Sequence, residues 1–208
     1  HQWPLQGTGS HSYHDSKSNT DHSVDFESTS FDWNAMPESI TDCTEAQADV
    51  MADLFYKCAV AANSYFHSSK TYTYCPELSQ ALIGYFRYMP TTRIKDYSQI
   101  KEDDFALLKK EIDEGRPVIG IVNYEDSYYY CHAFVVDGYK GNQFHINWCR
   151  NGEGNGYYSL NSLDNSGLSF SGSPSFVIGI TPNKTDVLYS LAWQRGQYTD
   201  DYDLISTH

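Results

Sequence analysis

The chain has 208 residues, of which 40% are hydrophobic and 15% aromatic, enough for one domain with a substantial core and far from the composition of a disordered segment. Its 27 acidic residues against 14 basic ones leave a formal net charge of −13, which argues against nucleic acid or an anionic membrane surface as partner. No apolar run approaches the roughly 18 residues of a membrane span, and no charged-then-apolar leader stands at the start.

Residue 1 is His rather than Met, so the sequence is expected to be a mature form, a fragment or a trimmed product. From His1 to Asp32 it is polar and Ser-rich, and Val24 and Phe26 alternate too briefly for more than irregular or short-strand structure. His11, His14, Asp15 and His22 in this stretch read as surface residues rather than a metal centre, because a loop would have to supply the ligand geometry. Thr44 followed by Gln47 has the form of a capping box. Val50, Met51, Leu54, Cys58 and Ala62 then recur at helical spacing, which predicts a buried helix over Glu45 to Tyr65. Pro76 suits the first position of a second helix, Glu77 to Phe86. A third, Asp103 to Glu114, has Phe105, Leu108 and Ile112 on its inner face and is stopped by Gly115 and Pro117.

From Pro117 the period changes to two. Strands are expected at Val118 to Tyr124, Tyr129 to Gly138, Gln143 to Cys149, Gly156 to Leu160 and Phe176 to Ile180. Helices first and an antiparallel sheet second is the α+β pattern. Residues 183–208, with an acidic, Tyr-rich end, read as a tail or linker.

The five cysteines, Cys43, Cys58, Cys75, Cys131 and Cys149, have no C-x-x-C spacing and so no zinc-knuckle pattern. Cys58 falls on the apolar face of the first helix, where a small hydrophobe is expected. Cys43 and Cys75 each precede a helix, where the dipole favours a thiolate. One disulfide is possible, and its pairing is not readable from spacing.

Chemistry concentrates in Tyr128 to Leu160. His132 leaves an apolar strand, a Tyr139-to-Gln143 turn reverses the chain, and the next strand ends in Asn147-Trp148. A histidine beside an amide is what an imidazole base needs, because one ring nitrogen must be held while the other moves a proton. Ala133 and Val135 point away from His132, which predicts a strand buried on their side with the imidazole presented at a cleft. Asn147 is expected to meet His132 through its amide, with Trp148 shielding the contact from water. A buried histidine satisfied by Asn would show the same pattern. Cys131 points to the face opposite His132, so these two neighbours cannot form a catalytic pair.

The runs His132-Ala-Phe-Val-Val-Asp-Gly-Tyr139, His145-Ile-Asn147-Trp148 and Asn155-Gly-Tyr-Tyr158 resemble the streptopain family of papain-like cysteine peptidases. Gly7 to Tyr13, Phe31 to Pro37, the Ala52 to Ala61 helix and Gly115-Arg-Pro-Val118 follow in the family's order, so the likeness spans nearly all of residues 1–182. The resemblance implies a papain-like fold, with residues 1–182 as the peptidase domain. It implies a cysteine endopeptidase in which His132 is the catalytic histidine and Asn147 and Trp148 support it. It also implies no metal or organic cofactor, a polypeptide substrate, an inhibitory propeptide and an extracellular setting.

The family's nucleophilic cysteine precedes the segment resembling His1 to Pro4, so that residue and its helix are expected on an upstream segment or companion chain, and the 208 residues alone are expected to be inactive. Tyr130-Cys131 stand where the family has two glycines, and Cys149 and Arg150 stand where it has Gly and Trp. These departures keep two further readings open: a catalytically inactive homologue that binds peptides through the old cleft, and an interaction module of a larger surface protein.

Overall fold

The computed structural model describes residues 2–37, 41–75, 77–95, 100–124, 131–165 and 168–185. The chain opens with a hairpin of β1 (Ser10–Asp15) and β2 (Thr20–Asp25), registered from Ser10 opposite Asp25 to Asp15 opposite Thr20. Sequence patterning left this stretch irregular or briefly stranded because most of its residues face water. Val24 in β2 and Phe26 just beyond turn inward, and Asp15 and His22, expected at the surface, are buried as well because the strand pairing turns them toward Phe66.

Helix α1 (Glu45–Ala61) begins as expected, with Thr44 and Gln47 closing a reciprocal capping box. It ends four residues before the expected Tyr65, because Asn63 takes a left-handed φ of 49° and Tyr65 opens a short hairpin, β3 (Tyr65–His67) with β4 (Lys70–Tyr72). The expectation of a helix buried along its length is also corrected. Within α1 only Val60 and Ala61 are buried, and Phe55 is 60% exposed. Its contacts are with β1, β2 and α2 (Glu77–Tyr85), which cover its last turn and leave Met51, Leu54 and Cys58 without full cover.

After α2 come β5 (Arg93–Lys95), which the sequence pattern does not predict, and α3 (Glu102–Asp113); the bounds of α2 and α3 lie within a residue of those expected. Gly115, at φ 72°, ends α3, and Arg116 then reaches back to Glu111 at 2.8 and 3.0 Å. The Glu111 carboxylate also accepts from the Gly179 N–H at 2.9 Å, tying α3 to the end of the last strand. The Gly-Arg-Pro sequence is thus a helix stop joined to a buried ion pair.

The second half is an antiparallel sheet of β6 (Val118–Tyr124), β7 (Cys131–Lys140), β8 (Gln143–Asn147), β9 (Gly156–Tyr158), β10 (Asp164–Asn165) and β11 (Leu168–Ile178). Their order is β10-β11-β6-β7-β8-β9, with β5 also paired to β11. The last strand starts eight residues before the expected Phe176, in a Ser-rich stretch interrupted by Gly172 and Pro174. Residues 129–130 of the expected β7 lie outside the described residues, as does Pro76.

The sheet is apolar on both faces. On one, Val118, Val122, Phe134, Val136, Phe144, Ile146, Phe176 and Ile178 join Phe105 and Leu108 of α3 in the main core. Gly120 lies in this layer because the Phe134 ring occupies its side-chain space; a Cβ there would stand 2.2 Å from the ring. On the other face, Ile121, Val177 and Ile180 meet Leu78 and Leu82 of α2 and the neighbouring Tyr88. A separate core, including Phe26, Phe31, Val60 and Phe86, fills the N-terminal part.

Candidate active site

His132 is the second residue of β7 and lies opposite Val122 of β6. Strict alternation places it on the same face as Phe134 and Val136, which are fully buried, while Cys131, Ala133 and Val135 take the other face. The expected pattern is therefore reversed. The strand's deeper face is the one that carries His132, because the main core with α3 lies there and Ala133 on the other side is exposed. His132 escapes full burial because it sits at the end of the strand, past the last residues of that core.

The strand β8 pairs with β7 from Val135 opposite Asn147 onward and then runs into Trp148. Trp148 is completely buried and holds its ring between Phe134, with centroids 5.1 Å apart, and the edge of Tyr158 at 5.6 Å. Its backbone carbonyl lies 2.9 Å from Nε2 of His132, and the two rings are 5.9 Å apart. A carbonyl has no proton to give, so Nε2 must be the donor. In the neutral ring this leaves the lone pair on Nδ1, the tautomer a proton acceptor at that nitrogen requires.

The expected imidazole–amide contact with Asn147 is thus replaced by an imidazole–carbonyl contact one residue later. Asn147 lies opposite Val135, three residues beyond His132, and its Oδ1 accepts instead from the Cys149 N–H at 2.9 Å. Asn147 consequently shapes the chain leaving β8. A residue that sequence reading did not single out does the same from the other side: Asn155 Oδ1 accepts from the Trp148 N–H at 2.9 Å. The signal available was its place just ahead of Gly156, in a run resembling the family. Between them the chain turns tightly, with left-handed φ at Cys149 (58°), Asn151 (51°), Gly152 (84°) and Gly154 (75°).

The cysteines fall into different environments. Cys75 and Cys131 form a disulfide, which removes Cys75 as a candidate reactive thiol and turns Cys131 away from the imidazole face. Burial pushes the Cys149 thiol up, against a partly offsetting hydrogen bond from the Val135 N–H, so it is a poorer source of thiolate than an ordinary cysteine. Cys58, expected in the core, is exposed as a residue, but its sulfur is enclosed closely enough that burial pushes the thiol up to about 11. Cys43 is half-buried in the loop ahead of α1.

Among the described residues no group of three or more His, Cys, Asp and Glu is arranged to hold a metal ion. The early histidines are engaged locally: His11 with Asn63 and Tyr85, His14 with Asp21, and His22 with Tyr56 and the Phe66 ring. No described helix is long and apolar enough to cross a membrane. A cavity of about 300 Å³ lies on the sheet face opposite His132, lined by Trp3, Trp33, Leu82, Tyr88, Ile119 and Val135 among others.

Helices ahead of an antiparallel sheet give the chain a papain-like fold. Active interpain A, a cysteine protease of Prevotella intermedia, superposes with a TM-score of 0.74 at 27% identity, over 86% of this chain and 77% of that one. A prointerpain A fragment from the same organism gives 0.68 at 29% identity, over 86% and 58%. Residues 1–158 match the model of the Peptidase C10 family, and the chain belongs to that family. Thiol protease/hemagglutinin PrtT of Porphyromonas gingivalis is 27% identical over 201 residues, 88% of this chain and 22% of that protein. Streptopain of Streptococcus pyogenes is 33% identical over 111 residues, 48% of this chain and 26% of that protein. The chain therefore spans about a quarter of the length of these curated relatives. The family and these neighbours are cysteine proteases.

Proposed function

We propose that this chain supplies the histidine half of a cysteine endopeptidase site, with the nucleophilic cysteine carried on residues outside these 208. The observation that carries the reading is the Nε2 contact of His132 with the carbonyl of buried Trp148, which presents Nδ1 for proton transfer. His132 is the catalytic residue. Trp148, through its carbonyl, and Asn147, through the Cys149 N–H, are positioning residues.

In the reaction, a cysteine thiolate paired with the His132 imidazolium attacks the peptide carbonyl carbon. The imidazolium then gives its proton to the leaving amine nitrogen. Water, losing a proton to the same ring, attacks the thioester and releases the acid and the thiol. None of these steps requires a metal or organic cofactor. Polypeptide is the substrate, an inhibitory propeptide is a partner, the setting is extracellular, and residues 1–182 form the peptidase domain with 183–208 as tail.

The placement of the cysteines supports an external nucleophile: Cys131 is bonded to Cys75, and the Cys149 thiol is turned onto the Val135 backbone. A second reading, an inactive homologue that binds peptides, is favoured by Cys149, whose side chain stands at a left-handed φ of 58° next to the candidate site.

Hydrolysis of an unfolded protein by the product of the complete reading frame separates the two. The peptidase reading expects thiol-dependent cleavage that His132→Ala lowers by about 10³-fold. Asn147→Ala, acting at one remove, should reduce kcat about tenfold or less with KM little changed. Cleavage that survives His132→Ala sinks the assignment, and a wild-type protein that binds peptide without cutting it establishes the second reading. The 208 residues alone should show no cleavage.

A further inference from the structure

Among the described residues, the ladder at the strand end that carries His132 runs to β6, and that to β8 begins further along β7. Cys131 and His132 pair with Asn123 and Val122 of β6, but pairing with β8 starts only at Val135 opposite Asn147. A strand end laddered on one side frays more readily than one held on both. The contact from His132 to the Trp148 carbonyl depends on this end staying in place. Cys131, the first residue of β7, is bonded through its sulfur to Cys75 just ahead of α2, and both lie against the apolar cluster on the face opposite the imidazole.

We propose that the Cys75–Cys131 disulfide is a redox-sensitive positioning cross-link for His132, a role that rests on reading His132 as the catalytic imidazole. Oxidised, it ties the start of β7 to the chain entering α2, on the face opposite the imidazole. A dithiol reductant opens it: one thiolate attacks a sulfur of the pair, the S–S bond breaks, and a mixed disulfide forms. The second thiol then displaces the remaining cysteine, so two electrons and two protons pass to Cys75 and Cys131 while the reductant closes to a cyclic disulfide. The peptidase nucleophile needs the reduced state and this pair the oxidised one, so activity passes through a maximum as dithiol is raised.

The test needs no activity. Peptide mapping of the product of the complete reading frame without reductant should recover Cys75 and Cys131 on one cross-linked peptide; separate alkylation of both would overturn the proposal. By ¹⁵N relaxation, dithiothreitol should lower the order parameters of the His132 and Ala133 amides from about 0.85 to below about 0.6, with Ile146 in β8 unchanged as internal reference. Cys75→Ser should show the lowered values without reductant and no further response to it. Unchanged values at His132 on reduction, or an equal drop at Ile146, would overturn the positioning role. An inactive full-length protein with the expected relaxation pattern would leave the cross-link standing and remove only the catalytic reading.

Discussion

At His132 the roles of the two ring nitrogens are separated by one backbone carbonyl, and that carbonyl is fixed because Trp148 is completely buried between Phe134 and Tyr158. Phe134 is therefore a structural support of the site as well as a core residue, and Gly120 is what makes room for it. Gly120→Ala would place a Cβ 2.2 Å from the Phe134 ring, on backbone that cannot yield without disturbing β6. We expect it to destabilise the fold by about 1–3 kcal/mol, as overpacking does, read as a lower urea midpoint with unchanged slope. A shift below about 0.5 kcal/mol would mean that the ring repacks freely. The alternation of β7 correctly separated Cys131 from His132, whereas the partner of the imidazole was misjudged by one residue. Side-chain chemistry is visible in a sequence; a backbone carbonyl is the same at every position.

Among the elements, the β1–β2 hairpin depends on Asp15, which is fully buried although it ends a polar strand. Burial alone would raise its pKa, but the Ser18 hydroxyl and the N–H groups of Lys17 and Phe66 donate to it and hold it down at about 2. The bond to Phe66 also ties this hairpin to the β3–β4 hairpin. Because the folded pKa lies below the ordinary value of 3.8, the stabilisation is complete above about pH 4 and is lost as pH falls toward about 2. Thermal unfolding followed between pH 5 and 2 should therefore show a steeper acid loss in the wild type than in Asp15→Asn, which is less stable at pH 5 but flatter. Parallel curves would remove Asp15 as the anchor. None of this was legible in the polar run, since a buried carboxylate and an exposed one are the same letter until the strand pairing places them.

For the whole molecule, the N-terminal core around Phe26, Val60 and Phe86 and the sheet core around Phe134 and Phe144 are separate clusters. They are bridged by the layer in which α2 meets the second face of the sheet. The Cys75–Cys131 bond crosses this layer over a separation of 56 residues. Removing it by Cys75→Ser should cost about 2–4 kcal/mol, mainly by freeing the unfolded chain, measured as a shift in urea midpoint. Equal stability of variant and wild type under oxidising conditions would mean that the bond is not formed. The cavity beside Ile119 and Val135 opens along the same layer.

The sequence by itself determined the α+β order, the start of α1 at its capping box, the bounds of α2 and α3 within a residue, and the family, through runs around His132 and Asn147. These are local signals, carried by spacing and side-chain type within a few turns or one hairpin. Tertiary structure alone decided that α1 is buried only at its last turn, that Cys75 meets Cys131, and that the Trp148 carbonyl takes the place expected of the Asn147 amide. Each depends on what distant segments bring into contact, and on backbone groups that every residue carries alike.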